Sequence, residues 1–296
     1  MNDKDWVRRP HEPGRLERLE AYFGGYGFAP HRHDTYAIGC TLAGLHRFNY
    51  RKCARHSLPG DTFVLHPDEL HDGEAGNEAG FRYRIVYIDP ALLQGPLGGQ
   101  PLPFIDEGVS RDPRLQRAIG SLLQCLDRPL EGLEEEDALY DLAQVMASIA
   151  GTKGRRRSVD FRAAERARDY IHEFLTQPVS LDELEQVSGR DRWSLSRDFR
   201  ALFGTSPYRY LTLRRLDQVR RLLLGAISPS EAALIAGFSD QSHMSRQFKQ
   251  AYGLSPGHWL RLIRQSWTTS SARSCKTLPR GTTETGRDRF VQRGVR

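Results

Sequence analysis

Two periods of apolar and polar positions divide the chain. Between residues 36 and 89 the period is two. Phe81, Tyr83, Ile85 and Tyr87 alternate with Arg82, Arg84, Val86 and Ile88, and His46, Phe48 and Tyr50 alternate with Arg47, Asn49 and Arg51. Such alternation predicts strands whose side chains face opposite sides in turn. The β-prone runs 36–42 and 62–66 add two more, and Ala43-Gly44, Leu58-Pro59-Gly60-Asp61 and Pro67-Asp68-Glu69 read as turns. Many short strands with regular turns predict a β-sandwich or jelly roll. From Pro113 onward the period is helical. Leu115, Ile119, Leu122, Leu123 and Leu126 form one apolar stripe, and Leu139, Leu142, Ala143, Val145, Met146 and Ile149 form another.

The back half repeats itself. Residues 196–211, SRDFRALFGTSPYRYL, align without a gap on residues 245–260, SRQFKQAYGLSPGHWL. Each copy predicts a helix–turn–helix. Ser180 and Ser228 start the first helices, with Glu183 and Glu231 three residues on as capping boxes. Pro229 sits at a first helical position, and Gly189 and Gly237 end these helices. In the second helices Leu195, Phe199, Leu202 and Phe203 share one face, matched by Met244, Phe248, Ala251 and Tyr252. The opposite faces carry Arg192, Trp193, Ser196, Arg197 and Arg200 in one copy, and Gln241, Ser242, Ser245, Arg246 and Lys249 in the other. Arg forks onto guanine and Gln onto adenine, while Ser and Lys reach phosphates or base edges. For one helix a solvated face is an equal reading. Two matched copies in a basic domain favour DNA recognition. Residues 208–224 between the copies predict a helix of about 17 residues, roughly 25 Å long. Such a strut sets two reading helices near one DNA turn, about 34 Å, apart.

Charge sharpens this division. Residues 1–154 carry 17 Lys+Arg against 23 Asp+Glu, and residues 155–264 carry 19 against 12. A polyanion partner is therefore expected at the back half. The chain of 296 residues has room for two domains. It contains no run of the roughly 18–20 apolar residues that span a bilayer. The first ten residues have no apolar secretory core, and four scattered cysteines suggest free thiols in a reducing cytoplasm.

Seven of the ten histidines fall within the first 71 residues. His31 and His33 stand two apart, and His71 follows Pro67 by four. Three readings compete for these imidazoles. They are hydrogen-bonded barrel histidines, or contacts to a small effector at a barrel mouth, or ligands of Zn²⁺ or Fe²⁺ with open positions. Tyr83 is a further effector contact, its hydroxyl set among apolar neighbours.

Residues 158–264 resemble the C-terminal DNA-binding domain of AraC/XylS-type transcription regulators. The most specific segment is GFSDQSHMSRQFK at 237–249, closing with GLSP at 253–256. The resemblance implies two helix–turn–helix units joined by a long helix. It places Trp193, Ser196 and Arg197, and Gln241, Ser242, Ser245 and Arg246, in the grooves. One departure is Arg190, which stands where the second copy has Phe238. It implies looser packing or an added phosphate contact. The front half, with HxH, then Pro-Gly-Asp, then Pro-x-x-x-His, resembles a cupin barrel of the kind that serves these regulators as a sensor. Cupin enzymes add a Glu shortly after the HxH, and here none follows. Asp34 adjoins His33 but points to the other face of a strand.

The expected fold class is therefore multidomain α and β. A cupin-like β-barrel, or jelly roll, at 1–106 senses a small-molecule effector. A helical segment and linker fill 107–157, with the basic stretch 151–158 as the linker itself; its two apolar stripes either pack on the barrel or, as the resemblance implies, serve dimerisation. An all-α double helix–turn–helix domain at 158–264 binds double-stranded promoter DNA. The tail, 265–296, is too poor in apolar residues to fold. The expected activity is transcription activation, with a second copy of the chain and RNA polymerase as further partners. No catalytic residue, cofactor or metal is expected. A metal-dependent cupin enzyme fused to a DNA-binding domain is the alternative, disfavoured by the missing Glu. A protein that coats DNA without sequence preference would leave two reading helices unused.

Overall fold

The period-two half folds as two antiparallel sheets. The computed structural model describes residues 5–10, 14–151 and 159–261. Among these, the strands are β1 (Trp6–Arg8), β2 (Glu17–Phe23), β3 (Tyr26–His31), β4 (Tyr36–Gly44), β5 (His46–Tyr50), β6 (Cys53–Ser57), β7 (Thr62–Leu65), β8 (His71–Ala75), β9 (Phe81–Ile88) and β10 (Val109–Ser110). One sheet runs β1-β2-β9-β4-β7-β10 and the other β3-β8-β5-β6. This is the expected jelly roll. It takes one strand, β10, beyond the expected boundary at residue 106.

Strand β9 shows why the alternation reads as it does. Phe81, Tyr83 and Ile85 point between the sheets, among Phe23, Phe48, Tyr50 and Phe63. Val86 and Ile88 point outward beneath a layer of helices. At the other end Arg82 and Arg84 also point outward and pair with the buried Glu20. Gly39 of β4 lies where the backbone is too crowded for a side chain. A Cβ there would stand 2.3 Å from the Arg84 carbonyl oxygen and 2.4 Å from the Phe63 ring.

Three helices cover the outer face of the larger sheet: α1 (Pro90–Leu97), α2 (Pro113–Leu123) and α3 (Gly132–Ala150). The apolar stripes of α2 and α3 pack with Tyr36, Ile38 and Val64 of the sheet. Arg18 of β2 reaches across to the carbonyl oxygens of Leu122, Cys125 and Arg128 and caps the end of α2. Of the two readings of these stripes, packing on the barrel is the one the fold realises, and they are occupied within the chain. What α3 leaves exposed includes Leu133 and Tyr140.

The remaining helices are α4 (Phe161–Glu173), α5 (Leu181–Ser188), α6 (Arg192–Phe203), α7 (Pro207–Leu224), α8 (Pro229–Ile235) and α9 (Gln241–Tyr252). Each is capped by an Asp or Ser oxygen that accepts a main-chain N–H, from Asp160, Ser180, Asp191, Ser206, Ser228 and Asp240. The first copy forms the whole capping box. The second forms the Ser228 half alone, a correction to the expected symmetry. The strut α7 belongs to two cores. Tyr210 and Leu211 pack with Phe199 and Phe203 of the first unit. Leu213, Leu216, Val219 and Leu223 pack with Met244, Phe248 and Trp259 of the second. Arg190 turns inward to pair with the buried Asp198 at 2.9 Å, so an ion pair occupies the first unit where Phe238 packs in the second. The linker beyond Gly151 and the tail at 265–296 lie outside the described residues.

Candidate functional site

A cavity of about 150 Å³ lies where the jelly roll meets the helical domain. One wall is the inner barrel surface, with Phe28, Phe63, Leu65, Ile85 and Tyr87. The opposite wall is Asp217 and Arg220 of α7, Tyr252 of α9, and Leu254 and Trp259 beyond it. His31, His33, His71 and Tyr83, singled out in the sequence, all line it. His46 lines it too, buried flat against the Phe81 ring at 4.5 Å with its Nδ1 unpartnered.

His31, His33 and His71 form a cluster. Their ring centroids stand 4.4, 4.7 and 5.8 Å apart. Strand pairing brings this about, because β3 meets β8 with His31 opposite His71. Burial lowers the pKa of all three, and in His33 it does so to about 3, with His31 adding repulsion. Burial also lowers His46 to about 3. These imidazoles are neutral near pH 7. Burial, then the Glu17 carboxylate, pushes Tyr87 up to about 12, so its hydroxyl keeps its proton.

The rim is charged. Glu17 pairs with Arg220 at 2.7 Å and with Arg9 at 2.8 Å. Burial alone would raise Glu17; Arg220 and Arg9 outweigh it and hold the carboxyl at about 2. The Nε atoms of Arg9 and Arg220 are buried without acceptors.

This rim is one end of a wider contact between the halves. Arg214 meets Asp34 at 2.6 Å, Asp89 at 3.0 Å and its own neighbour Asp217 at 3.2 Å. Burial pushes Asp34 up to about 6; Arg214 opposes the shift and Asp217 and Asp89 reinforce it. Arg209 pairs with Asp68 and donates to the Arg32 carbonyl. The Arg32 N–H donates to the Gln250 carbonyl near the end of α9. Gly253, in the left-handed turn that closes α9, seats against Ala29 and His31. A Cβ there would stand 3.0 Å from the Ala29 oxygen. The Leu102 N–H and the Gln94 amide donate to carbonyls at the end of α6. Both α6 and α9 therefore touch the jelly-roll half.

The outer faces of α6 and α9 stay open. Trp193, Arg197, Arg200, Gln241, Ser242, Arg246 and Lys249 are exposed, and Ser196 and Ser245 are half-buried between them. Trp193 is 73% exposed. Arg192 differs from the rest. It is tied to Glu185 and Asp182, both at 2.7 Å, and points back along α5.

Comparison with known proteins matches both halves. Residues 13–143 match the AraC-like ligand binding domain, and residues 184–262 match a helix-turn-helix domain. The chain belongs to the AraC/XylS family of transcription regulators. It is 26% identical over 238 residues to the uncharacterized HTH-type transcriptional regulator YbfI of Bacillus subtilis, covering 76% of this chain and 86% of that one. It is 26% identical over 253 residues to the transcriptional activator RhaS of Yersinia pestis, covering 80% and 91%. Its fold is similar to that of unsaturated fatty acid-bound ToxT from Vibrio cholerae. The TM-score is 0.58 at 13% identity, over 88% of this chain and 97% of ToxT.

Within this AraC-type frame, several residues of the cavity and of the ion-pair cluster beside it carry no signal in the sequence. Arg214, Asp217 and Arg220 recur on α7 at helical spacing, a charged line beside the apolar one, and that line faces the barrel. Glu17 and Trp259 carry no local pattern that marks them.

Proposed function

We propose that the cavity holds the effector and that its occupant governs how the DNA-binding helices sit on the sensor. The chain is an AraC-type transcription regulator with a ligand-binding half and a helix–turn–helix half. One observation carries the finer reading: the two halves share the walls of one cavity. A ligand that fits one docking arrangement better than another shifts the balance between them by its difference in affinity, and by no more.

The lining narrows the effector class. Most of it is apolar, with buried donors on Arg9 and Arg220 that lack acceptors. A small, largely apolar molecule with an anionic or acceptor group suits it, the group taking the place of Glu17 at the two guanidiniums. The unsaturated fatty acid of ToxT is a ligand of that class. The small volume favours a shorter molecule than most drug-sized ligands.

The helices α6 and α9 read successive major-groove segments of promoter DNA in this proposal. Trp193, Ser196, Arg197 and Arg200 serve the first unit, and Gln241, Ser242, Ser245, Arg246 and Lys249 the second. Arg192 braces α6 instead, through its two carboxylates. The regulator acts in the cytoplasm as an activator that contacts RNA polymerase. It pairs with a second copy through the exposed Leu133–Tyr140 side of α3, because the buried side is already filled.

The test starts from random-sequence DNA, from which the protein selects its operator. Short-chain and aromatic carboxylic acids are then screened by their effect on operator affinity. The expected result is an acid that changes affinity at least fivefold in the wild type and has no effect in Arg220→Gln. Selection that returns no preferred sequence would overturn the DNA-reading role. An active acid that binds Arg220→Gln equally well would overturn the cavity.

A further inference from the structure

We propose that His31, His33 and His71 form a binding site for a divalent transition metal ion, its remaining coordination positions open to the cavity. The DNA-binding reading does not require this site, and the site does not depend on it.

The argument begins with hydrogen bonds. His31 Nδ1 lies 2.8 Å from the Ala29 carbonyl oxygen, His33 Nδ1 2.9 Å from that of Thr35, and His71 Nδ1 2.8 Å from that of Glu69. A carbonyl only accepts, so each Nδ1 carries the proton and donates. A neutral imidazole has one proton, so each Nε2 is left as a bare lone pair. The same device occurs three times, each with a carbonyl two residues away. Such a bond fixes ring orientation and tautomer, and it is the outer-shell partner that metal-binding imidazoles typically have.

The three rings converge. The candidate ligand atoms of the three residues all lie within 4.8 Å of one another, and all three residues are buried. Three acceptors facing one another offer no donor to each other. A single water donates two hydrogen bonds and leaves one lone pair unanswered. One cation answers all three. Imidazole nitrogens on a common ion at about 2.1 Å are on the order of 3.4 Å apart, so the rings close inward by roughly 1 Å.

The donor set selects the ion class. Three imidazoles without a thiolate or a carboxylate suit zinc, nickel, cobalt or iron in the divalent state, and not calcium or magnesium. Asp34, the adjacent carboxylate, takes no part, since it points away and pairs with Arg214. The cluster lies on the cavity wall, so water or a donor atom of a small ligand completes the coordination.

The test uses the full untagged chain, stripped by a chelator and titrated with Co²⁺. The expected result is one Co²⁺ per chain, with visible ligand-field bands that Zn²⁺ abolishes. His33→Gln and His71→Gln each weaken binding at least 100-fold, and His56→Gln, at an exposed imidazole on β6, leaves it unchanged. Absence of ligand-field bands at stoichiometric Co²⁺, or bands that persist in both cluster variants, would overturn the proposal. If the variants do not fold, X-ray absorption of the Zn²⁺-loaded wild type decides. Scattering from three imidazoles supports the site, and a sulfur ligand or fewer than two imidazoles overturns it.

Discussion

The sensor half buries what the DNA-binding half keeps out. Five imidazoles, of His31, His33, His46, His66 and His71, sit inside the jelly roll, each with its pKa lowered by burial. In the helical half, among the described residues, no imidazole is buried: His172 is exposed, and His243 and His258 are half-buried. The helical half instead closes its core with Ala164, Ala167, Ala232, Ala233, Ala236 and Ala251, and its helices with six side-chain caps. The difference follows from the task of each half. Reading helices must hold a fixed spacing, and small residues with capped ends give a dense, rigid packing. A sensor must keep space and polar groups in a medium of low dielectric, where each added ligand contact counts for more.

That difference makes acid the largest lever. The unfolded chain accepts protons near pH 6.5 that the folded jelly roll refuses until about 3 at His33, His46 and His66. Stability is full above the unfolded value and falls as pH drops through this window. Each of the three contributes on the order of 1–2 kcal/mol between pH 7.5 and 5. Thermal unfolding at pH 5 should therefore separate into an early sensor transition and a later helical one. A single transition that moves as one unit at both pH values would break the comparison.

The interface comes next. Replacing Arg214 with Gln leaves Asp34, Asp89 and Asp217 clustered without their shared cation. Stranding one side of a buried ion pair costs about 3–5 kcal/mol. The expected readout is faster hydrogen exchange along α7 and β4, with the helical core of Phe199 and Phe203 unaffected. Exchange unchanged at α7 would show that the halves hold together without this cluster.

The open faces of α6 and α9 give a smaller, sharper effect. Arg246→Ala should cost about 1–3 kcal/mol on the selected operator and relax its sequence preference. Lys249→Ala should weaken all sequences alike and lower the salt slope by about one. Equal losses on operator and random DNA for Arg246→Ala would remove its base-reading role. Smallest of all are the caps. Ser180→Ala should cost about 1 kcal/mol, and Ser228→Ala less, because only the first copy returns the bond from its Glu. Equal costs in the two copies, measured by denaturant midpoints, would show that the returned bond adds nothing.

The two halves also differed in how much their sequence disclosed. The double helix–turn–helix was legible because each copy checks the other, residue by residue. Strand β9 was legible because one row of side chains faces the barrel interior. The interface was hidden. Arg220 meets Glu17 across 203 residues, and nothing local distinguishes it from an arginine that faces DNA. The back half's positive charge pointed to a polyanion, and part of it is spent on the acidic sensor. The stripes of α2 and α3 looked the same whether they face a sheet or a second copy, since periodicity names a buried face and not its partner. His46 was missed because it occupies an inward strand position shared with Phe48 and Tyr50. The imidazole cluster was half visible. The spacing of His31 and His33 showed that they share a face, and only the β3–β8 pairing placed His71 opposite.

The central claim is that the state of the sensor is felt at the DNA-reading helices through their shared cavity. The most direct measurement is operator affinity of Glu17→Gln against wild type, in one buffer at one salt concentration. Glu17 belongs to β2 and to no DNA-reading element, so any effect passes through the contact between the halves, where Glu17 pairs with Arg220 of α7. A change of fivefold or more in either direction is the predicted result. Equal affinities, with the variant folded, would contradict the coupling.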